Sequence, residues 1–216
     1  MQATRIIAIR HGETAWNVDT RIQGHIDIAL NDRGLWQAEQ AAQALHGETV
    51  HAVYTSDLLR AHATAQAVAR STGAPLVAEP LLRERHFGQF QGRTFAEIET
   101  QLPDDAQRWR KRDPHYAPPG GGESLVTLRE RIEGAVATLA RPHLGEQIVL
   151  VAHGGVLDVL YRLATRQDLQ APRTWQLPNA AINRLLWTPE GLSLVGWADT
   201  THLDNPEHTA RDETHT

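Results

Sequence analysis

Ile6-Ile7-Ala8-Ile9-Arg10-His11-Gly12-Glu13-Thr14 decides the reading of this chain. A short apolar run with no polar break predicts a strand buried on both faces, and the Arg-His-Gly that follows marks its exit into a loop. In open α/β sheets, the crevice beyond the carboxyl ends of the strands is where ligands bind. Val149-Leu150-Val151-Ala152-His153-Gly154-Gly155 repeats the same grammar far downstream. Two such strands in one parallel sheet would bring both histidines to one crevice.

Outward from these two anchors, strands alternate with helical patterns through most of the chain, which predicts an α/β fold. Residues 4–10 read as the first strand. A polar, glycine-punctuated loop runs to Leu30, and Asn31 or Asp32 caps a helix to about Leu45 with Leu35, Ala38, Ala41, Ala42 and Leu45 on its buried face. A strand at 52–56, an alanine-rich helix at 57–70 ended by Gly73-Ala74-Pro75, and a short strand at 76–78 follow. The pattern then changes. Residues 81–123 read as an excursion over the sheet's carboxyl edge, with a short helix at 94–101 and a Trp- and Arg-rich stretch. Ser124 caps a helix to about Leu139, the second histidine strand leads into a helix at 156–164, and strands near 181–187 and 192–197 are joined by Thr188-Pro189-Glu190-Gly191. One domain over 1–199 is expected, with 200–216 as a polar, frayed tail.

The 216 residues suffice for a sizeable core, and a formal net charge of −5 argues against a nucleic-acid surface while allowing a locally basic pocket for a small anion. The chain has no cysteine, which removes disulfides, thiolate metal sites and cysteine nucleophiles. No stretch approaches the roughly 20 apolar residues that cross a bilayer, and the N-terminus runs into a strand instead of a secretory leader, so a soluble cytoplasmic protein without a membrane partner is expected.

A lone histidine at a strand end is more often a structural residue than a catalyst. The neighbours of His11 change that weighing. Arg10, at the end of a hydrophobic strand, is costly to bury without an anion. Gly12 allows close backbone approach, and Asn17 can supply an amide donor. A surface salt bridge is the ordinary fate of a helical arginine, but Arg60 lies one turn into a helix that begins at the same sheet edge and would project back over it. Gly154-Gly155 after His153 offer backbone N–H groups at a helix start. Two histidines and two arginines form a cationic pocket that would repel itself without an anion. Glu84 is the best candidate proton donor, because a carboxyl beside a phosphoryl group is disfavoured as an anion. Pairing with Arg83 or Arg85 is its plain alternative, and Glu13 is a weaker rival. Trp109, Trp175, Trp187 and Trp197 read as core or pocket wall. The remaining histidines, including His202, His208 and His215, lack ligand spacing, so no metal and no cofactor is assigned. Arg108, Arg110, Lys111 and Arg112 form a basic run that is usually a solvated face, yet over an anion pocket it could meet a second substrate charge.

With Trp16-Asn17 behind the first motif, and with Ser56-Asp57-Leu58-Leu59-Arg60-Ala61, Glu84-Arg85-His86-Phe87-Gly88 and Ala152-His153-Gly154-Gly155 in that order, the chain resembles the histidine phosphatase superfamily, also called phosphoglycerate-mutase-like, from about Thr4 to Ala198. The resemblance implies a three-layer α/β/α sandwich with a mostly parallel central sheet. It implies that His11 is a transiently phosphorylated nucleophile, that Arg10, Arg60 and His153 bind the phosphoryl oxygens, that Asn17 is a further donor, that Gln23-Gly24 form the pocket lip and that Glu84 is the proton donor. Arg85 and Gly154 join the expected substrate-binding set. Glu84-Arg85-His86-Phe87-Gly88 is similar to the mutases of the group. Gly155, where mutases carry asparagine, and the Gly-Glu-Ser of Gly122-Glu123-Ser124 resemble the phosphatase branch. Hydrolysis of a small phosphorylated metabolite is therefore the expectation, with phosphoglycerate mutase activity and a non-catalytic phospholigand-binding protein as alternatives. The resemblance leaves the oligomer open between monomer and homodimer.

Overall fold

The computed structural model describes residues 2–204. Its centre is β4 (Gln147–Ala152), six residues all buried, between β1 (Thr4–Arg10) and β2 (Ala52–Thr55). The sheet has six strands in the order β3-β2-β4-β1-β5-β6, with β3 at Leu76–Ala78, β5 at Ile182–Thr188 and β6 at Gly191–Asp199. β3, β2, β4 and β1 run parallel, β5 pairs antiparallel with β1, and β6 pairs antiparallel with β5. A mostly parallel sheet must be covered on both faces. Alternation along the strands divides the core accordingly. Ile7, Ile9, Val149 and Val151 face a cluster with Ala38, Ala42, Ala61 and Val68 from α2 (Asp32–Ala44) and α3 (Leu59–Thr72). Ile6, Ala8, Ile148 and Leu150 face the other layer, with Leu128 and Ile132 of α6 (Leu125–Ala140) and Val156 and Leu160 of α7 (Gly154–Thr165).

The excursion between β3 and α6 contains no strand. It holds α4 (Phe95–Gln101), capped by a Thr94/Glu97 capping box, and α5 (Pro103–Arg110), which starts on a proline at its first turn. Phe90, Ile98, Ala106 and Tyr116 give this segment a small core of its own. Helix α5 lies where sequence patterning showed only a Trp- and Arg-rich stretch, because a helix with one buried residue, Ala106, has no apolar stripe to read.

Other expectations shift in detail. Leu35 is exposed, not on the core face of α2, because Gly34 presses the first turn of α2 onto the loop after β1 and rolls the buried stripe toward Gly34 and Gln37. The loop after β1 contains one helical turn, α1 (Ala15–Val18), closed by a Thr14/Asn17 capping box. Helix α3 begins at Leu59 and not Asp57, since the side chain of Asp57 is committed to Arg83 and Asp27 accepts from the Leu59 N–H instead. The expected frayed tail is ordered at its start: Thr201–Leu203 form a 3-10 turn, with the His202 ring donating to the Ala180 carbonyl at 3.0 Å. The rest of that tail, 205–216, lies outside the described residues. Among those described, no helix is long and apolar enough to cross a membrane.

The loop that carries His11 is fixed by backbone proximity. A Cβ on Gly34 would lie 2.0 Å from the Glu13 carbonyl oxygen, and one on Gly12 would lie 2.3 Å from that of Gly34. Gly34→Ala is therefore expected to destabilise by about 1–3 kcal/mol through overpacking. A urea midpoint unchanged from wild type would contradict this contact.

Candidate active site

β1 and β4 are adjacent and parallel, with Arg10 paired to Ala152. His11 and His153 are the next residue on each strand, so they leave the sheet side by side, and the His11 N–H still reaches the Ala152 carbonyl at 3.0 Å. Their ring centroids lie 5.2 Å apart. His153 is wholly buried at the start of α7 and His11 is nearly so. The His11 Nδ1 lies 2.7 Å from the Gly12 carbonyl. A carbonyl only accepts, so Nδ1 carries the proton and Nε2 keeps its lone pair.

Arg60 projects from α3 back over the sheet edge and is almost fully buried, not paired at the surface. Its guanidinium donates to the carbonyls of Gly24 (2.7 Å) and Ile26 (3.0 Å), which spends the Gly24 carbonyl on holding Arg60. Arg10 is held by the Leu177 carbonyl. Neither arginine has an ion-pair partner among the described residues. Burial, chiefly, lowers the Arg60 guanidinium to about 10, which leaves it charged at neutral pH. Burial likewise lowers Arg10, partly offset by Glu84.

Several buried polar atoms here have no protein hydrogen-bond partner: Nε of Arg10, Nε of Arg60, both ring nitrogens of His153 and Oε1 of Gln23. Each orphaned buried group costs about 1–3 kcal/mol, and native interiors contain few of them. The arginine and imidazole nitrogens among them, beside two unpaired arginines, suit an oxyanion; the Gln23 oxygen, itself an acceptor, is not a group that an oxyanion satisfies.

Glu84 enters from the excursion. Its carboxylate accepts the Gly155 N–H through both oxygens (3.1 and 3.0 Å) and the Arg85 N–H at 2.8 Å. Pairing with the Arg83 or Arg85 guanidinium does not occur, because Arg83 is bidentate on Asp57 and Arg85 donates to the carbonyls of Glu123 and Tyr116. A Cβ at Gly155 would lie 2.3 Å from the Glu84 Oε1, so a side chain there would displace the carboxylate from this seat. Glu13 accepts from the Asn31 side-chain amide at 2.9 Å. The Asn17 Oδ1 is committed to the capping box and to Asn179, and these contacts leave its Nδ2 unused.

Some supporting residues carry no signal in the sequence. The Glu123 carboxylate accepts the His86 N–H and pairs with Arg131, and Arg131 donates to the carbonyls of Leu81, Arg83 and Glu84, clamping the segment that bears Glu84. Thr64 accepts the Gly12 N–H, and Asn179 donates to the His11 carbonyl. Each is a lone polar residue whose partner is distant in sequence. Of the basic run, Arg108 and Arg110 pair at the surface with Asp113 and Glu99, and Arg112 faces a cleft of about 860 Å³ that opens from the histidine pocket. Trp109 and Trp175 wall that cleft, Trp187 is core, and Tyr116 belongs to the excursion's own core.

The fold and geometry define an α/β protein with a buried cationic pocket at the carboxyl edge of its sheet. The family described as histidine phosphatase superfamily (branch 1) matches residues 6–200, and the chain belongs to it. It is 38% identical over 206 residues to a metal-independent phosphoserine phosphatase of Arabidopsis thaliana, covering 94% of this chain and 85% of that one. It is 37% identical over 202 residues to phosphoglycerate mutase-like protein 4 of the same organism, covering 92% and 86%. Among solved structures, Bacillus stearothermophilus YhfR superposes with a TM-score of 0.87 at 28% identity, over 94% of this chain and all of that one.

Burial first, then the charges of Arg60 and its neighbours, holds both His11 and His153 well below the ordinary imidazole value of 6.5. Below about 6.5 the unfolded chain takes up protons that the folded pocket refuses, so stability falls as pH drops from 6.5 toward the depressed folded values. The melting temperature should thus be lower at about pH 5.5 than at about pH 7.5, with a smaller difference in His153→Asn. An identical pH dependence in the variant would show that the ring is not held neutral.

Proposed function

We propose that the protein is a metal-independent phosphomonoesterase that hydrolyses small phosphorylated metabolites through phospho-His11. The observation that carries this reading is the group of buried, unpartnered Arg10, Arg60 and His153 nitrogens around the His11 ring. A phosphoryl group would supply the missing acceptors, and the cations act on charge spread over its equatorial oxygens. Asn17, Gln23, Gly24 and Gly154 are assigned to the rim of the same phosphoryl site, and Arg85 to its approach.

His11 Nε2 attacks phosphorus while Gly12 holds the Nδ1 proton. The P–O bond to the leaving group breaks, and Glu84 gives that oxygen its proton. Glu84, now a carboxylate on the Gly155 N–H, takes a proton from the water that attacks phospho-His11; the P–N bond breaks and its electron pair returns to Nε2, so phosphate leaves and Glu84 holds the proton that the next leaving group receives. Water as the second acceptor fits a cleft that is open to solvent on the side of Glu84. The proposed compartment is the cytoplasm, since charged phosphomonoesters do not cross a bilayer unaided.

Hydrolysis of p-nitrophenyl phosphate should persist with a chelator and fall to background in His11→Ala; a fully active His11→Ala sinks the mechanism. In kcat/KM, which reports the first transfer alone, Glu84→Gln should slow an alkyl phosphate by about 10²–10⁴, and p-nitrophenyl phosphate much less, since its leaving group needs no proton. Equal losses of kcat/KM on both would remove Glu84 from the proton-donor role.

A further inference from the structure

The cleft that opens from the histidine pocket is larger and more positive than a phosphoryl group requires. Its inner end is formed by Arg10, Glu84 and Gly154, and its outer part is lined by Arg85, Arg112 and Arg173. A volume of about 860 Å³ is near the upper end of the range of about 300–1,000 Å³ for small-molecule pockets. The facing carboxylates do not balance the four arginines. Glu84 is seated on the Gly155 N–H, and Asp158 is shared between Arg112 and the buried Arg162. Arg85 and Arg173 have no ion-pair partner among the described residues.

The three outer arginines are not equivalent. Arg85 is sandwiched near Phe87 and Trp109 and bound to two carbonyls, and Arg112 is fixed by Asp158 and the Leu169 carbonyl. Arg173 is exposed at the rim and makes no hydrogen bond there, while its charge is felt by both Arg10 and Arg112. It is the cation free to close on a ligand.

Resting on the phosphatase reading above, we infer that this outer cleft is a second-anion subsite: the substrate is a phosphomonoester whose leaving group has a ring-sized body and carries a carboxylate or second phosphate, and Arg173 binds that group. Trp109 and Trp175 supply flat walls for the body between the two charges. The basic run contributes only Arg112, and the decisive cation comes from the loop between α7 and β5.

The test compares kcat/KM for phenyl phosphate, 3-carboxyphenyl phosphate and benzene-1,3-diyl bisphosphate in wild type, Arg173→Lys and Arg173→Glu. Wild type should prefer at least one doubly anionic probe by about tenfold or more, and which one identifies the second group. Arg173→Lys should keep part of that preference and Arg173→Glu should abolish or invert it. Equal rates on all three probes in wild type, or a preference that survives Arg173→Glu, would overturn the subsite. Failure of wild type to hydrolyse even phenyl phosphate would instead count against the phosphatase reading.

Discussion

The parallel pairing of β1 with β4 is the constraint from which the site follows. Because Arg10 lies opposite Ala152, the next residue on each strand is a histidine, and two imidazoles with centroids 5.2 Å apart are a consequence of register. A slip of one residue would turn every side chain of β1 to the other face, exchanging Ile7 and Ile9 for Ile6 and Ala8 in the two cores. The hydrophobic division of the sheet and the chemistry of its edge are therefore enforced together. Helix α3 and the excursion then deliver Arg60 and Glu84 to the same edge.

The resulting pocket is electrostatically unfavourable when considered alone. Burial first, and then the neighbouring arginines, depress both imidazoles, and Glu84, itself directed at a backbone N–H, partly offsets the charge of Arg10 and Arg60. The protein holds this arrangement with backbone carbonyls: those of Leu177, Gly24 and Ile26 restrain the guanidiniums without neutralising them. Charge is thus oriented in advance, where an ion pair would have cancelled it, and little reorganisation remains for the moment of reaction.

Much of this was legible in the sequence, for definite physical reasons. Strands buried on both faces leave unbroken apolar runs, and a histidine and glycine directly after such a run can only be at its exit. The capped helices α2 and α6 announced their starts through Asn31 and Ser124. What escaped was whatever depends on partners distant in the chain. Helix α5 buries one residue, Leu35 lost its place to a backbone contact at Gly34, and Arg131 reads as an ordinary helical arginine until Glu123 and three carbonyls of the segment around Glu84 surround it. The basic run divides in the same way: Arg108 and Arg110 pair at the surface with Asp113 and Glu99, Arg112 reaches the cleft beside distant Asp158, and Arg173, isolated in sequence, faces the same cleft. Glu84 was identifiable by position, but its seat on Gly155, which a single Cβ would close, was not.

The central claim is that one ring, His11, is held neutral with its free nitrogen ready to bond to phosphorus while its neighbours grip the oxygens. Its most direct test is rapid mixing with a phosphomonoester, denaturation in alkali, where a phosphorus–nitrogen bond to imidazole survives, and peptide mass spectrometry. The account predicts a phosphoryl group on His11 that appears before product release and is discharged by further turnover. Efficient turnover with no modified histidine, or with the label on His153, would contradict it.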